Sequence, residues 1–213
     1  MAVKLPDGSK VYLANSYSTK LTTTVMTNAA PSIGTAASHT FVAGDFVELT
    51  SGWGGLNGKI FKVGAVTATT FELLGSDTTD TSRFPAGGGI GSVRKVLAWT
   101  EINQILEFSS NGGDQKFANF EFLDEDFERQ IPTTISAQSI KIGIADDPTL
   151  PGYIALKAAG ASRSERSLRL RLLDASEIVY NGYASLNETP TTTKGQVMQV
   201  TATYSLSSRP NRY

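Results

Sequence analysis

Apolar and polar residues alternate with a period of two in the most strongly patterned stretches of the chain. These are Ala118, Phe120 and Phe122; Ile140, Ile142 and Ile144; Leu168, Leu170 and Leu172; and Met198, Val200, Ala202, Tyr204 and Leu206. Successive side chains of a strand point to opposite faces, so each run predicts a half-buried β-strand. Polar residues such as Lys141, Arg169, Arg171, Gln199, Thr201 and Thr203 occupy the alternate positions. This is the pattern of antiparallel sheets with one packed and one solvated face, and it predicts a mainly β sandwich or barrel. Asp174-Ala175-Ser176 separates the Leu168 run from Ile178, Val179 and Tyr180, and short polar residues there predict a tight hairpin.

One segment has helical spacing. Leu150, Ile154, Ala158 and Ala161 fall at i, i+4, i+8 and i+11, with Pro151 in the first turn and Gly160 near the end. Asp147 or Thr149 is the expected N-cap, and Asp146 with Asp147 reads as negative charge ahead of a helix start rather than as an acid–base pair.

Between residues 28 and 92 Gly, Ala, Thr and Ser rise and long charged side chains thin out. Short strands are predicted at Phe46 to Leu49, Lys59 to Val63 and Thr70 to Leu73, joined by glycine-containing turns. The expected organisation is a core of residues 1–27 and 93–213 with an inserted small β domain at 28–92. Gly87, Gly88, Gly89 and Gly91 fit neither phosphate-loop spacing and read as a flexible return linker.

Composition narrows the chemistry. The 213 residues include no cysteine and one histidine, His39, which removes disulfides, thiol nucleophiles and Cys/His zinc sites. His39 has no nucleophile motif or acidic partner near it in sequence and reads as a loop histidine. Nineteen Lys and Arg balance twenty Asp and Glu, so no overall field gathers nucleic acid or anionic lipid. Neither a basic leader over Met1 to Gly8 nor a membrane-length apolar run is present, and a cytoplasmic site of synthesis is expected.

Two stretches carry a family resemblance. Gly44-Asp45, Leu56-Asn57-Gly58 and Thr69-Thr70-Phe71-Glu72-Leu73 resemble small β modules of phage tail proteins. From about Trp99 to Leu206 the order of elements is similar to the lambda-like major tail tube proteins of long, non-contractile phage tails. It comprises an acidic loop, a helix, a charged hairpin ending in Tyr180-Asn181-Gly182-Tyr183 and a polar alternating last strand. The resemblance implies a tail-tube β-sandwich with one flanking helix, carrying the inserted module. It implies hexameric rings stacked into a tube in the virion tail, assembled in the host cytoplasm. It further implies a tape-measure protein in the lumen, tail terminator and distal tail or baseplate proteins at the ends, and DNA passing without specific binding. Neither enzyme activity nor a cofactor is expected.

Asp124, Glu125, Asp126 and Glu128 can be a metal site, a hydrolytic pair or a solvated loop; the resemblance makes them an inter-ring contact or a source of negative lumen potential. No glycine interrupts the stretch between Leu123 and Ile131, which speaks against a calcium loop. Arg163, Arg166, Arg169 and Arg171 are the basic cluster, read as partners for acidic residues of a neighbouring subunit or as a solvated strand face. The alternative functions are a related tail part, such as a terminator, distal tail protein or contractile-tail inner tube, and a carbohydrate-binding adhesin domain, which would use exposed Trp53 and Trp99.

Overall fold

The computed structural model describes residues 7–213; of the Met1 to Gly8 stretch considered for a leader, residues 1–6 lie outside that range. The first half contains β1 (Lys10–Tyr17), β2 (Leu21–Thr23), β3 (Val25–Met26), β4 (Ser32–Thr35), β5 (Phe46–Ser51), β6 (Lys59–Val66), β7 (Thr70–Leu73) and β8 (Gly91–Ile102). The second half contains β9 (Ile105–Asn111), β10 (Gln115–Phe120), β11 (Arg129–Ile135), β12 (Ser139–Ala145), α1 (Pro151–Ser162), β13 (Arg166–Arg171), β14 (Glu177–Thr191), β15 (Gln199–Leu206) and β16 (Asn211–Arg212). The expected mainly β architecture with one helix is therefore present.

Twelve strands follow one path, β3-β4-β7-β6-β5-β8-β1-β13-β14-β15-β12-β9, with β16 added to β14 and β2 to β8. The path curls because its two ends have separate hydrophobic clusters to cover. In the core half, β12 and β15 pair with Ile140 opposite Tyr204, Ile142 opposite Ala202 and Ile144 opposite Val200. All six are buried in one cluster with Val11, Leu13 and Leu168. The predicted alternation of these strands is thus the observed one. The Asp174 turn joins β13 to β14 as predicted, with Leu168 opposite Tyr180, although Leu172 falls outside the strand.

Helix α1 closes this cluster, but with a different face from the one expected. Tyr153, Leu156 and Ala159 are buried, whereas Ile154 is half exposed. Gly152 decides the seating: a Cβ there would stand 2.7 Å from the Glu101 carbonyl oxygen and 2.8 Å from Ile102 Cα. The first turn can meet the end of β8 only through a residue without a side chain, and that contact rotates the helix. The cap also differs. Leu150 is the N-cap and has no side-chain hydrogen bond, while Asp147 accepts from the Thr149 N–H and hydroxyl at 3.0 and 2.6 Å. Those bonds hold the Asp147 carboxyl below the usual carboxylate range.

The second cluster joins β4 to β8 around Val47, Leu49, Trp53, Phe61, Val63, Phe71, Leu73 and Phe84. The three strands predicted inside residues 28–92 are β5, β6 and β7, and β4 adds a fourth opposite β7. Leu21 and Met26, which precede residue 28, also pack into this cluster. The glycine run is not a loose linker. Gly89 is buried, and a Cβ on it would stand 2.7 Å from the Trp53 ring.

Strand β8 joins the two halves. Its residues 91–95 pair with β5, while residues 96–102 pair with β1. A third cluster, Ala14, Phe46, Ile60, Val96 and Val179, lies between them. Burying aliphatic side chains of this size contributes about 1.5–3 kcal/mol each, so apolar contact dominates the seam and polar bonds fix its register. Asn181, fully buried, donates to the Gly58 carbonyl at 3.0 Å and accepts from the Ser167 hydroxyl at 3.3 Å. Asn211 donates to the Ile60 carbonyl at 2.7 Å. The Tyr213 hydroxyl donates to the Leu74 carbonyl at 3.1 Å and accepts from the Lys62 N–H at 3.0 Å.

Replacing Asn181→Ala leaves the Ser167 hydroxyl without its buried acceptor and removes a donor from Gly58. A loss of about 1–3 kcal/mol is expected by chemical denaturation, against less than about 0.5 kcal/mol for Asn187→Ala on the exposed part of β14. Burial pushes the Tyr213 phenol up to about 12. A raised acid pKa stabilises the fold fully below the ordinary tyrosine value of about 10 and ceases to do so as pH climbs to about 12. Urea titrations at stepped alkaline pH should show a shallower loss of stability in Tyr213→Phe than in the parent; equal slopes would contradict this.

Candidate functional site: an acidic arm and an open sheet face

β10 and β11 pair with each other and with no other described strand. The segment expected to be a half-buried strand through Phe120 and Phe122 is instead the first limb of a projecting arm. Alternation selects a face, but no described strand forms a second layer over it. Phe117, Phe122, Leu123, Phe127 and Ile131 are all exposed, Leu123 completely so. Phe120 meets Phe122 edge to face at 5.5 Å, and the Arg129 guanidinium lies 5.3 Å from the Phe122 ring centre.

The root of the arm is held tightly. Asp114 and Ser136 bond across it at 2.9 and 3.0 Å. Gly112 and Gly113 have φ of +80° and +87°, and a Cβ on Gly112 would stand 2.0 Å from the Ala137 carbonyl oxygen. The tip carries all four predicted acids. Glu125 is tied to Arg129 at 2.6 Å, while Asp124, Asp126 and Glu128 make no ion pair among the described residues. Among the described residues no group of three or more His, Cys, Asp or Glu is arranged to hold a metal ion.

The four predicted arginines do not share one environment. Arg169 is used inside the subunit: its side chain is only 17% exposed, meets Glu177 at 3.5 Å and lies 4.6 and 4.7 Å from the Tyr12 and Trp99 ring centres. Burial pulls its pKa down, against the opposing pull of Glu177. Glu177 also holds Lys62 at 2.9 Å. Arg166 donates to the Asn15 carbonyl at 3.0 Å. Arg163 takes the left-handed conformation that ends α1, with φ +48°. Arg163 and Arg171 are exposed and make no ion pair among the described residues.

A second surface is the uncovered face of β9, β12, β15 and the far half of β14, the solvated face that the alternation around Lys141 and Thr203 predicts. Ser109, Lys141, Thr203, Ser205, Ser185 and Asn187 are exposed there, and Lys141 is neutralised by Glu107 at 3.0 Å. Strand β9 ends the path, so one side of its backbone has no described partner strand. The alternation of each strand is visible in sequence, but which strand lies at an edge is a property of topology.

A cleft of about 370 Å³ opens between the two halves, lined by Lys20, Glu48, Asn57, Arg94, Arg163 and Glu165 among others. Glu48, 5% exposed, is held by Arg94 through two bonds of 3.0 and 2.8 Å.

A family model described as phage tail tube protein, TTP, matches residues 51–213. This chain belongs to the phage tail tube protein family. It is a structural component of the phage tail, and the match extends from the module through the helix and hairpin to the last strand. Among curated proteins none matches the chain. Among the described residues no helix is long and apolar enough to cross a membrane. The adhesin reading loses its support, because Trp53 is 3% exposed with its indole N–H bonded to the Pro85 carbonyl at 2.9 Å. Trp99 packs edge to face on Phe46 at 5.7 Å.

Gly112→Ala forces both a positive φ and a backbone collision on a residue with a Cβ, at a cost of about 1–3 kcal/mol. Because the arm pairs only with itself, hydrogen exchange should quicken at 115–120 and 129–135 while β13 and β14 stay protected. Protection that falls equally in both regions would show that the arm is part of the cooperative core.

Proposed function

We propose that the subunit polymerises into stacked hexameric rings that form the tube of a long, non-contractile tail, the conduit for DNA ejection. The observation that carries this is the arm. A two-stranded hairpin is marginal by itself, and this one exposes five large apolar side chains beside a cluster of carboxylates. Such a surface is completed by a neighbour. The arm of one subunit docks on an adjacent one, with Asp124, Glu125, Asp126 and Glu128 meeting cations there; Arg163 and Arg171 are the members of the predicted basic set free to take part.

The free edge of β9 supports lateral strand pairing between subunits within a ring. The open polar face of β9, β12, β15 and β14 then lines the channel. Its charges are paired and its hydroxyls and amides are neutral, so it offers passing DNA no array of cations to hold its phosphates. The tape-measure protein occupies the lumen before DNA, and terminator and distal tail or baseplate proteins close the ends. Residues 28–92 form a module carried by the core. Assembly takes place in the host cytoplasm.

Single exposed ion pairs contribute about 0–1 kcal/mol, but their effect multiplies along a repeating assembly. The double reversal Asp124→Lys with Asp126→Lys should leave thermal melting of the subunit nearly unchanged and sharply reduce filaments seen by electron microscopy at low salt. Normal tubes at low and high salt would overturn the docking role.

A further inference from the structure

The loop from Gly52 to Gly58 is flanked by cations from three distant parts of the chain. Lys59 follows it directly. Arg209 is placed beside it by the neighbouring Ser208, whose hydroxyl donates to the Gly58 carbonyl at 2.9 Å. Arg83 lies over its middle, with Nη2 3.7 Å from where a Gly55 Cβ would stand. Burial, and then repulsion by Arg209 and Arg83, pull the Lys59 pKa down. None of the three makes an ion pair among the described residues. Asp80, the carboxylate near Arg83, is occupied by the Ser82 N–H and hydroxyl at 3.0 and 2.5 Å.

Leu49 lies opposite Lys59 in the β5–β6 register, so Lys59 shares the face of the second hydrophobic cluster rather than the Glu48 face that lines the cleft. Like charges thus converge around the loop itself. On the same chain, Asp124, Asp126 and Glu128 converge on the arm tip with the opposite sign.

We propose that the basic surface around the Gly52–Gly58 loop, formed by Lys59, Arg83 and Arg209, is the receptor for the acidic tip of the β10–β11 arm of a second copy of this chain. The proposal rests on the docking role of the arm and names its partner surface. Charge complementarity identifies the occupant. The tip supplies carboxylates at a free hairpin end, and its exposed Leu123 and Phe127 meet the apolar stems of Lys59 and Arg83. Specificity follows from the pairing of one acidic with one basic surface, since tip on tip and receptor on receptor both repel.

Charge exchange tests the pairing. In the full chain, Lys59→Glu with Arg209→Glu should raise the protein concentration needed for tubes at low salt by roughly tenfold or more, an energy near 1.4 kcal/mol. Combining it with Asp124→Lys and Asp126→Lys should restore assembly toward the parent. If the arm reversal alone blocks assembly but the combination does not rescue it, the docking role stands and this receptor is wrong. If the arm reversal has no effect, the docking role itself fails and the receptor with it. Because the chain has no cysteine, the pair Asp126→Cys and Arg209→Cys gives a second measurement that does not depend on charge. Cross-linked ladders under oxidation in assembled tubes, absent from each single variant, support the contact; tubes without ladders overturn it. Inorganic phosphate that raises the melting temperature of the parent but not of the receptor variant, in tubes that form no cross-link, would show a small-anion site and also overturn the proposal.

Discussion

The subunit depends on one constraint: a single strand, β8, must pair along half its length with the module and along the other half with the core. Twelve residues therefore set the relative position of two hydrophobic clusters that neither shares nor exchanges side chains. A strand alone would act as a hinge. The apolar seam of Phe46, Ile60, Val96 and Val179 removes that freedom, and the buried Asn181 and Glu177 select the register. Apolar burial supplies most of the energy, while the polar groups penalise every other alignment because each would be left unpaired.

From this follows the division of the sheet's outer face. The module covers it over β13 and the near half of β14, which turns Arg169 and Val179 inward. It stops short of β15, β12 and β9, where hydroxyls and amides stay in water. The same strands that carry the helix-covered cluster on one side thus present a neutral polar wall on the other, and the arm leaves from the last pair of them. The features proposed to serve assembly are those that the packing of the monomer leaves over.

Much of this was legible in the chain. The strands β12, β13 and β15 alternate strongly, and β5, β6 and β7 are short runs between glycine-containing turns, so local pattern determines them. The hairpin at Asp174 and the existence of α1 are local in the same sense. What failed to show depends on contacts between residues far apart in sequence. The buried face of α1 is set by the approach of Gly152 to Glu101, and the period of Leu150, Ile154, Ala158 and Ala161 contains no trace of it. Arg169 resembles a solvated arginine until β5 and the Tyr12 and Trp99 rings close over it. Phe120 and Phe122 alternate as a core strand does, yet no described strand of the subunit forms a layer over them. Lys59, Arg83 and Arg209 are isolated in sequence and adjacent only through folding.

The proposed docking role of the acidic arm tip has a consequence for the free subunit before it meets its place in a polymer. An exposed hairpin with large apolar side chains is a template for sticking to its own kind, arm against arm, in disordered clumps. Every copy carries the same carboxylates at the same spot, so two tips that approach each other meet a growing electrostatic barrier, steepest in dilute salt. On that role the side chains would act as gatekeepers during the interval between synthesis and incorporation, keeping the docking surface from adhering too early.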